Sequence, residues 1–236
     1  MYLSVLKVNA EGNPNLPRHG RDWLKNPYEV HQRLCLAFPA FKRDDKGNRI
    51  AREDDDANFL YRIEGLPARV IVLSRSQPNW QNAFGNALYL LKEWPENAVL
   101  FIPSFSINQK LRFRLLANPT FRAKDERFLG KRCSLNTDGE RFQWLEKKGV
   151  SLETNGHKRG GFSVFADNTT IDARGSIVSW RRKDGETKDD KRKMIFDAVL
   201  FEGTLTVTDP VAFANTVASG IGSGKAFGFG LLSLAR

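Results

Sequence analysis

Tyr28 and His31 are the two residues of this sequence whose types and spacing best suit proton transfer. Asn26 is a favoured helix N-cap residue, Pro27 suits the first helical position, and Glu29 completes a capping-box pattern. A helix that begins here presents Tyr28 and His31 on one face, because they are three residues apart. The helix N-terminus attracts anions and disfavours protonated histidine. The segment therefore predicts either a proton-transfer site beside an anion or a half-buried Tyr and His with satisfied hydrogen bonds.

A second candidate is the glycine-rich segment of residues 220–230, which follows a predicted helix and precedes a predicted strand. Nucleotide-binding glycine loops have the opposite order, with the strand first and the helix after, so neither of their motifs fits. Glycines still let backbone amides approach phosphates closely, and Lys225 adds a positive charge. We therefore predict that Gly222, Gly224 and Lys225 contact phosphates. The alternative is a tight connector.

The charge balance points to an anionic partner, most often a nucleic acid. The chain has 37 Lys and Arg against 27 Asp and Glu, a formal net charge of +10. In the alternating run that begins at Lys110, the polar face is cationic. Further basic residues come from the loops and short strands that follow. The predicted nucleic-acid-binding residues outside the glycine-rich segment are Arg112, Arg114, Lys131, Arg132, His157, Lys158, Arg159, Arg181, Arg182 and Lys183. A solvated basic surface is the alternative for each group.

Other chemistries are poorly supported by the sequence. There is no Gly-x-Ser-x-Gly elbow and no His-Glu-x-x-His motif. Cys35 and Cys133 have neither a second cysteine nor a histidine at the spacing of a metal site, so we expect no metal and no cofactor. The acidic run of residues 54–56 leaves a metal-dependent nuclease as an alternative to a solvated loop. No apolar run approaches the roughly 20 residues that span a bilayer, and no signal peptide is evident, which predicts a cytoplasmic protein without membrane contact.

The predicted elements form an α+β fold in which the order β-α-β-β-α-β occurs twice. We therefore expect two tandem ferredoxin-like (RRM-like) domains with antiparallel sheets. The first, residues 1–117, contains the helix with Tyr28 and His31. The second, residues 118–236, contains the basic loop around Arg181 and the glycine-rich loop. Asp209 and Pro210 predict the N-cap and first position of a helix that ends at Gly220.

Several stretches of the chain resemble the CasE-type endoribonucleases of type I-E CRISPR systems. The resemblance covers nearly the whole chain in the right order. The matching stretches are Tyr28-x-x-His31, residues 111–119, Lys131-Arg132-Cys133, residues 200–203 and, most specifically, the glycine-rich segment ending in residues 230–235. The resemblance implies two ferredoxin-like domains and metal-independent cleavage of precursor CRISPR RNA within each repeat, at the base of a hairpin. It places His31 and Tyr28 at the catalytic positions.

The chemistry implied by this resemblance uses a nucleophile from the RNA. A ribose 2′-OH attacks the adjacent phosphorus and leaves a 2′,3′-cyclic phosphate, so the protein needs groups that accept and donate protons and positive charge near the phosphorane. His31 is the expected proton-transfer group, as base or as acid, and Tyr28 orients the 2′-OH or shares the transfer. The resemblance further implies that the product hairpin stays bound and that the protein joins the Cascade complex. The alternative is a non-catalytic RNA-binding subunit of such a complex.

Overall fold

In the computed structural model, the chain forms two compact units. The structure describes residues 1–10, 19–38, 59–123, 132–154, 157–181 and 192–235. Unit 1 comprises Met1–Ile102, Ser179–Met194 and Ala226–Gly228, and unit 2 comprises Pro103–Val178, Ile195–Lys225 and Phe229–Arg236. None of the described helices is both long and apolar enough to cross a bilayer.

Unit 1 has a ferredoxin-like arrangement built on one four-stranded sheet. Its elements are β1 (Tyr2–Lys7), α1 (His19–Leu24), α2 (Pro27–Cys35), β2 (Phe59–Gly65), β3 (Ala68–Ser74), α3 (Trp80–Phe84) and β4 (Val99–Leu100). The sheet order is β2-β3-β1-β4, with antiparallel pairing throughout. This is the strand order of the split β-α-β fold, as the sequence predicted.

Helix α2 packs on this sheet through its buried stripe. Val30 and Leu34 are four residues apart and fully buried, and they join a core that includes Leu6, Val70 and Val72 from the sheet. This packing orients the helix, because the apolar stripe has only one face of the sheet on which to bury itself. The stripe that contains Tyr28 and His31 is left half-exposed beside the core.

Unit 2 repeats the same topology around a second four-stranded sheet. Its elements are β5 (Lys110–Ala117), β6 (Thr120–Arg122), β7 (Arg132–Ser134), α4 (Asp138–Gly149), β8 (Leu152–Thr154), β9 (His157–Arg159), β10 (Phe162–Arg181), β11 (Arg192–Val207), α5 (Pro210–Ser219) and β12 (Leu232–Ala235). The last three residues of β10, which include Ser179, and the first three of β11 belong to unit 1. The sheet order is β10-β11-β5-β12, and β5 pairs antiparallel with both of its neighbours. The Asp209 side chain accepts hydrogen bonds from the amides of Val211 and Ala212, so the predicted start of α5 is confirmed.

The division of the chain differs from the boundary expected after residue 117. The expected last strand of the first domain is β5, but β5 is a central strand of the unit 2 sheet. The alternation of Leu111, Phe113 and Leu115 with basic residues identifies a strand with one buried face, but it does not say which sheet buries that face. The fourth strand of unit 1 is β4, whose two exposed residues give almost no sequence signal.

The start of α2 depends on a residue far away in the sequence. Asn26 occupies the N-cap position, but its side chain makes no capping bond to the helix. Instead the amide of Tyr28 donates to Ser179 Oγ at 3.1 Å, and Ser179 Oγ donates to Asn26 Oδ1 at 2.6 Å. The amide of Trp180 also donates to Asn26 Oδ1, at 3.2 Å. Ser179 is 0% exposed, so the serine of β10 performs the capping that the local pattern assigned to Asn26.

Replacing Ser179 by alanine is expected to destabilise unit 1 and loosen the first turn of α2. The change removes the acceptor of the Tyr28 amide and one of the two hydrogen bonds to Asn26 Oδ1, at a cost of about 1–3 kcal/mol in the free energy of unfolding. Urea denaturation measures the loss, and hydrogen exchange at Tyr28 locates it. Ser176→Ala is the matched control from the same strand, because the Ser176 hydroxyl is exposed and bonds Asp197 at 3.0 Å. Equal effects of the two variants would contradict the role assigned to Ser179.

Candidate functional site

Tyr28, His31 and Cys35 form one stripe along α2. The ring centroids of Tyr28 and His31 lie 6.0 Å apart, so the two side chains are neighbours, as the three-residue spacing predicted. Cys35 follows one turn later, with Sγ 3.6 Å from His31 Nε2. All three side chains are half-exposed. The stripe therefore presents a phenol, an imidazole and a thiol side by side to ligands.

Aromatic rings surround the His31 imidazole within unit 1. Phe59 and Tyr61 from β2 lie with ring centroids 5.3 Å and 6.2 Å from His31. Tyr28 stacks on Phe227, with centroids 5.6 Å apart. Flat rings on several sides restrict the orientations of the imidazole and lower the local dielectric constant. Both effects suit a group that must exchange protons in one defined geometry.

Tyr61 holds the first turn of α2 from inside the core. Its hydroxyl lies 2.6 Å from the carbonyl oxygen of Pro27 and 3.0 Å from that of Ala226, and it donates its proton to this pair of acceptors. Burial raises the pKa of Tyr61 well above its ordinary value, and the charge of Cys35 raises it further. Tyr61 therefore stays protonated at neutral pH and keeps its donor role. Its contribution is to position α2 and the rings around His31.

Unit 2 contains a cleft of 520 Å³ with a strongly basic lining. Among the described residues, six cationic side chains line it, and they come from strands, a helix and the glycine-rich loop. They are Arg122, Arg132, Lys147, Lys148, Arg159 and Lys225. Within the described part of the chain, no carboxylate lines this cleft. Such a concentration of one sign of charge in a concave surface attracts an anion.

The glycine-rich loop forms one wall of this cleft, with Gly222 and Lys225 both in the lining. Gly222 has φ +82°, and a Cβ there would lie 3.0 Å from the Trp144 ring, so a larger residue would be strained. Gly224 packs instead against Phe229 and does not line the cleft. The Lys225 ammonium donates to the carbonyl oxygen of Ser219. Burial lowers the pKa of Lys225, and the nearby charge of Arg159 lowers it further, whereas a bound phosphate would reverse the effect.

Two polar side chains of the cleft lining support the same conclusion. Asn118 Oδ1 and Ser223 Oγ are buried, and neither has a hydrogen-bond partner among the described residues. Buried polar atoms of folded proteins normally have partners. Two such atoms in the lining of one basic cleft are consistent with a surface that is completed by a polar ligand.

The remaining predicted RNA-binding residues are dispersed over the structure. Arg132 and Arg159 line the basic cleft, but Arg112 and Arg114 lie on an exposed strand face away from its lining. Arg114 pairs with Glu202 at 2.6 Å. Lys158 is exposed in β9, which also contains His157, and Arg181 ends β10. Lys131, Arg182, Lys183 and the acidic run of residues 54–56 lie outside the described residues.

Sequence reasoning missed three cations of the cleft, namely Arg122, Lys147 and Lys148. Lysines in the last turn of a helix such as α4 are ordinary, because they complement the helix dipole, so the pair gave no functional signal. Lys148 also lies over the Trp144 ring, 5.6 Å from its centroid. No group of three or more potential metal ligands occurs among the residues that the structure describes.

Comparisons with known proteins agree with this architecture. The chain is 34% identical over 244 residues to the CRISPR-associated endoribonuclease Cse3 of Thermus thermophilus, with 100% of both chains covered. It is 28% identical over 245 residues to the CRISPR system Cascade subunit CasE of Escherichia coli, covering 100% of this chain and 99% of the relative.

Solved structures match over the same length. A structure of Cse3 bound to a 19-nucleotide RNA has a TM-score of 0.71 at 30% identity, with 100% of both chains covered. Thermus thermophilus Cse3 bound to an RNA representing a pre-cleavage complex has a TM-score of 0.69 at 29% identity, covering 100% of this chain and 98% of the other.

The family model described as CRISPR associated protein matches residues 1–236. The match spans both ferredoxin-like units, including α2 with Tyr28 and His31 and the glycine-rich loop with Lys225. Together with the 34% identity to Cse3 over the full chain, it identifies the family. The chain belongs to the CRISPR-associated protein family.

Proposed function

We propose that this protein is a metal-independent endoribonuclease that cleaves precursor CRISPR RNA in the repeat, at the base of a hairpin. It then keeps the mature guide RNA bound and assembles with the other subunits of the type I-E Cascade complex. The observation that carries the proposal is the Tyr28-His31 pair on one face of α2, with ring centroids 6.0 Å apart. The relative Cse3 is named an endoribonuclease, and the relative CasE is named a Cascade subunit.

The proposed reaction takes its nucleophile from the substrate. The 2′-OH on the 5′ side of the scissile phosphate loses its proton and attacks the phosphorus, while the leaving 5′-oxygen gains a proton. His31 carries out proton transfer in this step, and Tyr28 orients the 2′-OH or shares the proton. A histidine suits this work because its ordinary pKa lies close to neutral pH. The products are a 2′,3′-cyclic phosphate and a 5′-OH.

The basic cleft of unit 2 supplies the affinity in this proposal. Arg132, Arg159 and Lys225 are the predicted residues that line it, and Arg122, Lys147 and Lys148 extend the same charge. Phosphate contacts of this kind bind RNA through its backbone and position it, without reading sequence. We also propose that the protein acts in the cytoplasm.

The test of the reaction is a repeat hairpin with a single deoxyribose on the 5′ side of the scissile phosphate. Cleavage of this RNA should stop, because the nucleophile is missing, while the affinity should barely change, since one hydroxyl among many backbone contacts contributes little. The unmodified hairpin should be cut equally fast in EDTA and should yield the cyclic phosphate. Cleavage of the deoxy hairpin at the same bond, or loss of cleavage in EDTA, would contradict the proposed metal-independent attack by the 2′-OH. Tight binding without cleavage of any hairpin would favour the non-catalytic subunit instead.

His31→Ala should abolish most cleavage and spare RNA binding. Losing a proton-transfer group costs about 10²–10⁴ in rate, or roughly 3–5 kcal/mol of barrier. Single-turnover cleavage and a binding titration separate the two effects. His19→Ala is the matched control, because His19 is exposed in α1 and its ring contacts Tyr89. A His31 variant that cuts within threefold of the parent rate would refute the assignment.

The cleft should determine how strongly RNA binding depends on salt. Replacing Arg132 and Arg159 together by alanine removes two phosphate contacts. We expect the slope of log K against log salt to become shallower by about one to two units. Arg174→Ala is the control, because Arg174 is exposed on β10 and pairs with Asp172 at 2.9 Å. If the double variant keeps the parent slope, the cleft does not bind RNA.

A further inference from the structure

Cys35 places a thiol against the His31 imidazole. The two residues are one helical turn apart on α2, and Cys35 Sγ lies 3.6 Å from His31 Nε2. Both side chains are half-exposed, so ions can reach them from solvent. From the sequence we expected no histidine at metal-ligand spacing from either cysteine. The structure corrects this for Cys35, because a four-residue spacing on a helix brings two ligands to one point, as in the two histidines of His-Glu-x-x-His.

The distance between the two atoms fits a shared zinc ion. Zinc binds cysteine sulfur at about 2.3 Å and histidine nitrogen at about 2.0–2.1 Å, and a tetrahedral angle between these bonds separates the sulfur and the nitrogen by about 3.5 Å. The observed separation is 3.6 Å. Both side chains can therefore bind one ion without a shift of the helix backbone.

The surroundings of the pair also suit a cation. Cys35 is the last residue of α2, where the helix dipole favours positive charge. The nearest basic residue on the helix is Arg33, and its guanidinium donates to the carbonyl oxygen of Ala83 at 3.2 Å. Arg33 therefore lies on a different face of α2 from the pair. Hard cations such as Mg²⁺ prefer oxygen ligands, so this sulfur-nitrogen pair selects zinc and similar thiophilic ions.

We propose that Cys35 and His31 bind one thiophilic divalent cation such as Zn²⁺, with water in the remaining positions, and that the bound ion inhibits RNA cleavage. On binding, the Cys35 thiol releases its proton to solvent and the thiolate sulfur ligates the ion. The ion also takes the lone pair of His31 Nε2, so the imidazole can no longer accept and release a proton at that nitrogen. The inhibitory part rests on the proposed function, whereas the binding part does not.

A metal titration tests the binding part without any RNA. The full chain is stripped with a chelator, kept reduced, and titrated with Zn²⁺ against a chromophoric competitor, and with Co²⁺ as a spectroscopic probe of thiolate ligation. The parent should bind one ion and show a thiolate-to-cobalt charge-transfer band. Cys35→Ser should lose the band and bind zinc at least about tenfold more weakly. Cys133→Ser, which removes the other half-exposed cysteine, should behave as the parent.

Two results of the zinc titration would overturn the proposed metal site. If Cys35→Ser binds zinc as tightly as the parent, or if the parent binds none, the 3.6 Å contact is only a weak hydrogen bond between thiol and imidazole. His31→Ala should weaken zinc binding as Cys35→Ser does, and a parent-like affinity would remove His31 from the site.

A cleavage titration tests the inhibitory part, with each variant compared with its own rate in EDTA. The parent and Cys133→Ser should lose cleavage over the zinc range in which they bind the ion, and EDTA should restore it. Cys35→Ser should need at least about tenfold more zinc, and Mg²⁺ should not inhibit. Equal zinc inhibition of the parent and Cys35→Ser would overturn the inhibitory part. If the parent binds zinc through Cys35 but never cuts a repeat hairpin in EDTA, the metal site stands and the proposed function fails.

Discussion

The hydrogen bonds between Ser179 and the start of α2 are the constraint on which the candidate site depends. The helix has nine residues, and a helix of this length is marginal by itself in water. Its position therefore comes from three sources, namely the burial of Val30 and Leu34, the Tyr61 hydroxyl bond to the Pro27 carbonyl oxygen, and the cap that Ser179 provides from the end of β10. A one-residue slip in the register of β10 would turn the Ser179 hydroxyl to the other face of the strand. The placement of Tyr28 is thus linked to the pairing of a strand 151 residues away.

The two units contribute different physical properties. Unit 1 surrounds one imidazole with aromatic rings, and a fully buried tyrosine hydroxyl braces the helix that carries it. Unit 2 gathers six cations in a cleft whose described lining has no carboxylate. Such a division suits a reaction in which the substrate supplies its own nucleophile. Such a reaction needs proton transfer and neutralisation of phosphate charge, and the proposed function assigns the first to unit 1 and the second to unit 2.

The spacing that aligns Tyr28 with His31 also aligns His31 with Cys35. The residues follow one another at intervals of three and four, which together make two helical turns, so every member of the stripe faces the same way. A half-exposed imidazole that is open to a substrate is equally open to other ligands. The Cys35 thiol lies one turn away, and the distance between Cys35 Sγ and His31 Nε2 is the one that two ligands of a shared zinc ion require. The proposed inhibition by thiophilic ions therefore follows from how α2 places the residue that we propose for proton transfer.

Much of the fold could be predicted because its signals are local. The α5 helix begins after Asp209 and ends before Gly220, as its cap, its proline and its glycine indicate. The buried face of β5 and the common face of Tyr28 and His31 were equally predictable, because side-chain direction follows directly from the period of a helix or a strand. The family resemblance added the expected catalytic positions.

Only the tertiary structure decided which partners these elements have. It assigned β5 to the second sheet, replaced Asn26 by Ser179 as the capping acceptor, and brought Arg122 and Lys147 to the cleft that holds Lys225. Each of these outcomes joins residues that are far apart in the chain. The pattern of residue types along a helix or strand indicates which face is buried or charged, because side-chain direction follows from the period of that element. The identity of the surface that meets this face depends on the packing of the whole unit, which no local pattern contains.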